Sequence, residues 1–171
     1  MFANLEGRPA SGPLAAEAKE LPAFLTMLNQ AAAMARRHYP GAQLLEADVN
    51  FELYGRGWRF VFNVPATSVR PQASTAVLFN VDGELVEPVQ HVDLPWSSSR
   101  PIPLPLSLDV GEAEDLALEA GYGGLVASIV LRWALHPDAK EPHYVLTIPE
   151  QDVMVFVGVH SREVTVGPIT V

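Results

Sequence analysis

Gly55-Arg56-Gly57-Trp58-Arg59-Phe60-Val61-Phe62-Asn63-Val64 decides how this chain is read. In an extended strand, Trp58, Phe60, Phe62 and Val64 share one face, while Arg59, Val61 and Asn63 share the other. An aromatic ridge of this kind needs a cover, and the alanine-rich segment before it supplies one. Leu21, Phe24, Leu25, Leu28, Ala31, Ala32 and Ala35 recur at helical spacing and form an apolar stripe. Pro22 suits the first turn of that helix. Arg36, Arg37 and His38 suit its last turn, and Tyr39-Pro40-Gly41 stops it, so a helix is expected over 21–38.

Between helix and ridge, Ala47, Val49, Phe51 and Leu53 alternate with Asp48, Asn50, Glu52 and Tyr54. The pattern predicts a half-buried strand with a polar outer face, joined to the ridge through a glycine hairpin at Gly55-Arg56-Gly57. Downstream, Thr75, Val77, Phe79 and Val81 alternate again. Asp82-Gly83 reads as a type I′-like turn, and Glu84–Val89 returns. Residues 91–108 read as a proline-rich linker in which Pro101, Pro103 and Pro105 alternate with Ile102, Leu104 and Leu106. The missing N–H groups exclude a central strand there. Asp109 and Glu112 then form a capping pair for a second helix, ended by Gly121-Tyr122-Gly123-Gly124. A long alternating strand from Leu125 and two or three further strands follow.

The expected fold is therefore α+β: two helix-plus-antiparallel-meander units, with the helices packed on one face of a curved antiparallel sheet. The expected boundaries are an N-terminal extension over 1–20, a first unit over 21–90, the linker over 91–108, and a second unit over 109–171.

Composition narrows the function. Eleven Lys and Arg against twenty Asp and Glu give a net charge of −9 over 171 residues. That balance argues against a phosphate-tracking nucleic-acid binder and is compatible with a basic protein partner. With no cysteine, thiolate chemistry and Cys-ligated zinc are excluded. No window approaches the roughly 18 apolar residues that span a bilayer, and the first residues lack a secretory pattern, so no membrane contact and a cytoplasmic location are expected.

No catalytic signature emerges. Asp48 and Glu52, four apart on a strand, stand roughly 13 Å from each other; the paired carboxylates of a glycosidase need about 5–9.5 Å. Ser97-Ser98-Ser99 lacks the context of a nucleophile elbow. His136, His143 and His160 have no metal-ligand spacing, and no cofactor is expected. The candidate contact residues are Asp48, Asn50, Glu52 and Tyr54 on the polar strand face, Trp96 in the Pro/Ser loop as an interface anchor, and Arg132 on the later strand.

Leu108-Asp109-Val110-Gly111-Glu112-Ala113, the helix closing at Ala120-Gly121, Tyr144-Val145-Leu146 and Val155–Val164 resemble the PepSY-like family. Tyr39-Pro40-Gly41-Ala42, the Trp58 strand and Phe79–Val86 look similar in the first half. The resemblance implies a tandem, cystatin-like α+β architecture of the β-lactamase-inhibitor-protein-like kind, acting as an inhibitor or binding module through its exposed sheet face. Arg162 departs from the pattern, where glycine is common in the last turn. The expected function is a non-enzymatic protein-binding or inhibitory module. The alternatives are a small-ligand-binding or enzymatic domain with a helix/sheet cavity, and an immunity protein or a structural subunit of an assembly whose exposed edges pair with copies of the chain.

Overall fold

A computed structural model describes residues 23–50, 57–69, 71–80, 82–92, 95–96, 100–134 and 138–169, apart from the side chains of Asn50, Glu87 and Pro88. The elements are α1 (Phe24–His38), β1 (Leu44–Asn50), β2 (Trp58–Val64), β3 (Ala73–Phe79), β4 (Leu85–Val92), α2 (Val110–Glu119), β5 (Ser128–Trp133), β6 (Pro142–Ile148), β7 (Val153–Gly158) and β8 (Val164–Pro168).

The sheet corrects the expected α+β fold of two helix-plus-meander units. Among the described residues, eight strands make one continuous antiparallel sheet in the order β4-β3-β2-β1-β5-β6-β7-β8, against two short helices of 15 and 10 residues. The body is a sheet with helices added, rather than a pair of helix-roofed units. The reason lies at its centre. β1 and β5 would each be an open edge in a separate unit, with unpaired N–H and C=O groups. They pair with each other instead, Ala47 opposite Leu131 and Val49 opposite Ile129, and both edges disappear.

The ridge on β2 packs as its alternation predicts. Phe60, Phe62 and Val64 are buried. α1 covers them with Phe24, Met27, Leu28, Ala31, Ala32 and Ala35, the alanines letting the helix backbone lie close to the strands. Phe24 is the keystone of this contact. Its ring centroid lies 4.6 Å from Trp58, 5.7 Å from Phe60 and 6.0 Å from Tyr144, so one side chain joins α1 to strands from both ends of the chain.

The proline-rich stretch is packed into the body. β4 runs to Val92, past the expected start of the linker. Further along, Ile102 and Leu108 are buried, while Pro103 and Pro105 face water. Ile102 N–H donates to Leu44 O at 2.7 Å, and Trp133 Nε1 donates to Pro101 O at 2.9 Å. The Arg100 guanidinium sits 3.3 Å from the centre of the Trp133 ring. The buried Tyr144 hydroxyl donates to Leu108 O at 2.9 Å and fastens the entry of α2 to β6. α2 begins as expected, with Asp109 and Glu112 forming a complete capping box.

Gly83 takes a positive φ at the β3–β4 turn. Asn80 organises it, its side-chain oxygen accepting from the N–H groups of Asp82 and Glu84 at 3.0 and 2.9 Å. The expected hairpin residues Gly55 and Arg56, and the first residues of the expected 21–38 helix, lie outside the described residues.

Arg162, the departure noted in the sequence, sits at φ +60 in the β7–β8 turn, a left-handed conformation that costs a non-glycine residue about 1 kcal/mol. Its guanidinium lies 3.3 Å from Glu112, but both side chains are about half exposed, so the pair returns little. Arg162→Gly is therefore expected to raise stability by about 0.5–1 kcal/mol, read as a higher midpoint in thermal unfolding.

Candidate functional site

Both helices occupy the face that carries Phe60 and Val155, which leaves the opposite face of the sheet to strand residues of the other parity. In β1, these are Glu46 and Asp48, alternating with the core residues Ala47 and Val49. Register does the rest. Arg59 of β2 stands opposite Asp48, and Arg132 of β5 stands opposite His143 of β6. A polar row thus crosses the middle of the sheet, and Trp96, from the segment after β4, lies against it.

The row is tightly held. Arg59 Nε donates to Asp48 Oδ2 at 2.8 Å, and Arg59 Nη2 approaches Glu46 Oε1 at 3.9 Å. The Arg59 guanidinium lies 5.0 Å from the centre of the Trp96 ring. Glu46 and Asp48 are only 6% and 5% exposed. The Trp96 indole stands near enough to draw the Glu46 carboxyl downward, though its N–H closes no hydrogen bond of full geometry. Trp96 Nε1, Arg132 Nε and His143 Nδ1 are all buried without a hydrogen-bond partner among the described residues.

Burial dominates the electrostatics. It lifts the Glu46 carboxyl above its ordinary range; Trp96 opposes this, the Asp48 charge adds to it, and Arg132 and Arg59 oppose it. Asp48 is also raised, by burial first, with Arg59 pulling the other way. A raised carboxyl means that the folded protein holds its proton more firmly than the unfolded chain does. These two groups therefore favour folding below their ordinary values of 4.5 and 3.8, and that contribution is lost as pH rises through their folded values. Glu141 works in the opposite sense. Burial lifts it, but the Ser161 hydroxyl and the N–H groups of Ser161 and His160 outweigh that, and it lies below the usual range. Glu46→Gln/Asp48→Asn is expected to remove the contribution of these two groups to the stability that falls with rising pH, so its melting temperature gains on wild type from pH 4 toward pH 7.

Of the residues expected to contact a partner, Asp48, Trp96 and Arg132 meet in this row. Asn50 continues β1, while Glu52 and Tyr54 lie outside the described residues. Asp48, expected on a polar outer face, is buried and paired, because Arg59 reaches it from the adjacent strand. Glu46, Arg59 and His143 also belong to the row. Glu46 was findable, two residues before Asp48 and on the same face. Arg59 was findable as the polar side of the aromatic strand. Nothing local pointed to His143, whose place depends on the β5–β6 register.

Beyond the row, the sheet is less covered. Val130, Thr147, Met154 and Phe156 are only partly buried, with Thr147 opposite Met154 and Val145 opposite Phe156. They form a mixed, largely apolar surface over β5–β7, bordered by Arg132 and His143.

Two other arrangements bear on chemistry. Ser107 Oγ donates to Val159 O at 2.9 Å and lies 3.0 Å from His160 Nδ1. The neighbouring Glu141 carboxylate accepts from the backbone N–H groups of His160 and Ser161, at 2.6 and 3.0 Å, rather than from the imidazole. The group ties the α2 entry to the β7–β8 turn and lacks the base-orienting contact of a catalytic triad. Among the described residues no three His, Asp or Glu side chains converge as metal ligands, and His136 lies outside them. Among the described residues a pocket of about 460 Å³ lies beyond the end of α1, lined by Arg36, Gln43, Leu44, Ile102 and Leu104 with Pro101 and Pro103. No helix among the described residues is long and apolar enough to cross a membrane.

Comparison with family models, with curated proteins and with solved structures returned no match.

Proposed function

We propose that the protein is a non-enzymatic binding module that docks a protein partner on the β5–β7 surface facing away from the helices. One observation carries the reading: the half-buried Val130, Met154 and Phe156 stand on a sheet face that neither helix covers, beside a polar row held in place by its own ion pairs. An apolar centre bordered by fixed polar groups is the anatomy of a protein interface. The net charge of −9 favours a basic partner, brought in by long-range attraction. The PepSY-like resemblance, an inhibitory role and a cytoplasmic location belong to the same reading.

Met154→Lys/Thr147→Lys places two cations on this surface without touching the core. Affinity capture from native extract with wild type should recover a stoichiometric partner that the variant loses. Equal recovery by both would move the contact elsewhere, and no partner for wild type would refute the reading.

A second reading rests on the pocket beside α1. Its volume suits a small ligand, with Arg36 as its charged group and Ile102 and Leu104 as apolar walls. Saturable binding of a small carboxylate, lost in Arg36→Ala, would favour it.

A further inference from the structure

The two outer strands of the sheet are built differently. β4 carries Glu87 and Pro88, and its pairing with β3 slips between Ala76 and Leu78. A charge, a missing N–H and an irregular register all discourage a visiting strand. β8, Val164-Thr165-Val166-Gly167-Pro168, has none of these devices until its last residue. It is uncharged, and Val166 is 45% exposed.

The orientation of its free backbone groups follows from the β7–β8 turn. Gly158 N–H donates to Glu163 O at 3.0 Å, so 158 and 163 form a hydrogen-bonding pair. Pairs of that type alternate along an antiparallel ladder, which turns the bonding groups of Thr165 and Gly167 toward β7. Val164 and Val166 therefore direct their N–H and C=O groups outward, where no described strand meets them.

We propose that β8 pairs antiparallel with β8 of a second copy of this chain, about a two-fold axis at Thr165. The strand is complementary to itself in that register. Val164 of each copy bonds Val166 of the other through both N–H and C=O, closing four hydrogen bonds. Glu163 meets Gly167 and Arg162 meets Pro168, so no like charges oppose each other despite the acidic chain. Any other register within the strand sacrifices one of these valine pairs or brings Pro168, which has no N–H, into the ladder. The axis stands perpendicular to the sheet. The dimer is thus one sixteen-stranded sheet with both helix-free surfaces on the same side, a bivalent platform. So short a contact makes a weak dimer, populated at high concentration.

The chain's lack of cysteine permits a position-specific test. Thr165→Cys places two thiols across the axis in a non-hydrogen-bonded pair, with Cα atoms about 4.5 Å apart, within reach of a disulfide. Val69→Cys, at a site 93% exposed in the β2–β3 connection, is the control. Under mild oxidation Thr165→Cys should form covalent dimer at least tenfold faster than Val69→Cys. Light scattering of wild type should show mass rising toward twice the monomer with concentration. Val166→Pro, which removes an outward N–H, and Val166→Lys should each hold the protein monomeric with unchanged circular dichroism. Cross-linking of Thr165→Cys no faster than the control, a wild-type monomer at every concentration, or a dimer that survives both Val166 variants would each overturn the proposal.

Discussion

Phe60→Ala is expected to lower the unfolding free energy by about 3–5 kcal/mol, the usual cost of emptying a large aromatic site in a core. Phe60 is fully buried, with its ring centroid 5.7 Å from Phe24, 6.1 Å from Trp58 and 5.7 Å from Phe79. Those neighbours come from α1, from the same strand and from β3, so the void cannot close by moving one side chain. Close packing limits relaxation, and the cavity term adds to the lost transfer energy. Typical domains are stable by about 5–15 kcal/mol, so the change removes a large share of the total. Urea unfolding gives the value directly. A cost under about 1 kcal/mol would mean that the ridge on β2 is not the centre of the core.

Arg59→Met should have a comparable effect for an electrostatic reason. Asp48 and Glu46 are almost wholly buried, and Arg59 is their cation from β2. Removing one member of a buried pair strands the other charge in a poor solvent, at about 3–5 kcal/mol. The methionine retains much of the volume of the arginine stem, so lost packing contributes little. The defect depends on pH. Asp48 already holds its proton more firmly than usual because of burial, and without Arg59 it holds it more firmly still. Acidification therefore neutralises the stranded charge and narrows the gap between variant and wild type. Arg59→Met/Asp48→Asn should recover much of the loss at neutral pH, since replacing both partners leaves no buried charge behind. A loss below about 0.5 kcal/mol for the single variant would mark the pair as an ordinary surface contact.

On the proposed reading, the row would serve a binding face without being its contact surface. Arg59 and Asp48 satisfy each other, and Trp96 lies over the guanidinium. What stays open is the neutral ground beyond them, at Val130, Met154 and Phe156. A rigid polar border beside an apolar centre lowers the ordering cost of association, because its side chains are fixed before the partner arrives.

Much of this was written in local pattern. Alternation over Trp58–Val64 gave a strand and its buried side, and spacing over Phe24–Ala35 gave the helix that covers it. Asp109 and Glu112 announced the start of α2, because a capping box is made from neighbours in sequence. Prolines correctly barred 101–105 from the sheet interior. The continuous sheet was another matter. Nothing near Ala47 or Leu131 says that these residues will face each other, for strand pairing is settled between segments far apart in the chain. The same holds for Asp48, whose polar side chain reads as solvated until register places Arg59 beside it. Periodicity reports which face of an element is apolar; it carries no information on which element comes alongside. That choice is made by backbone groups seeking partners and charges seeking counterions, and both are satisfied only in the assembled tertiary structure.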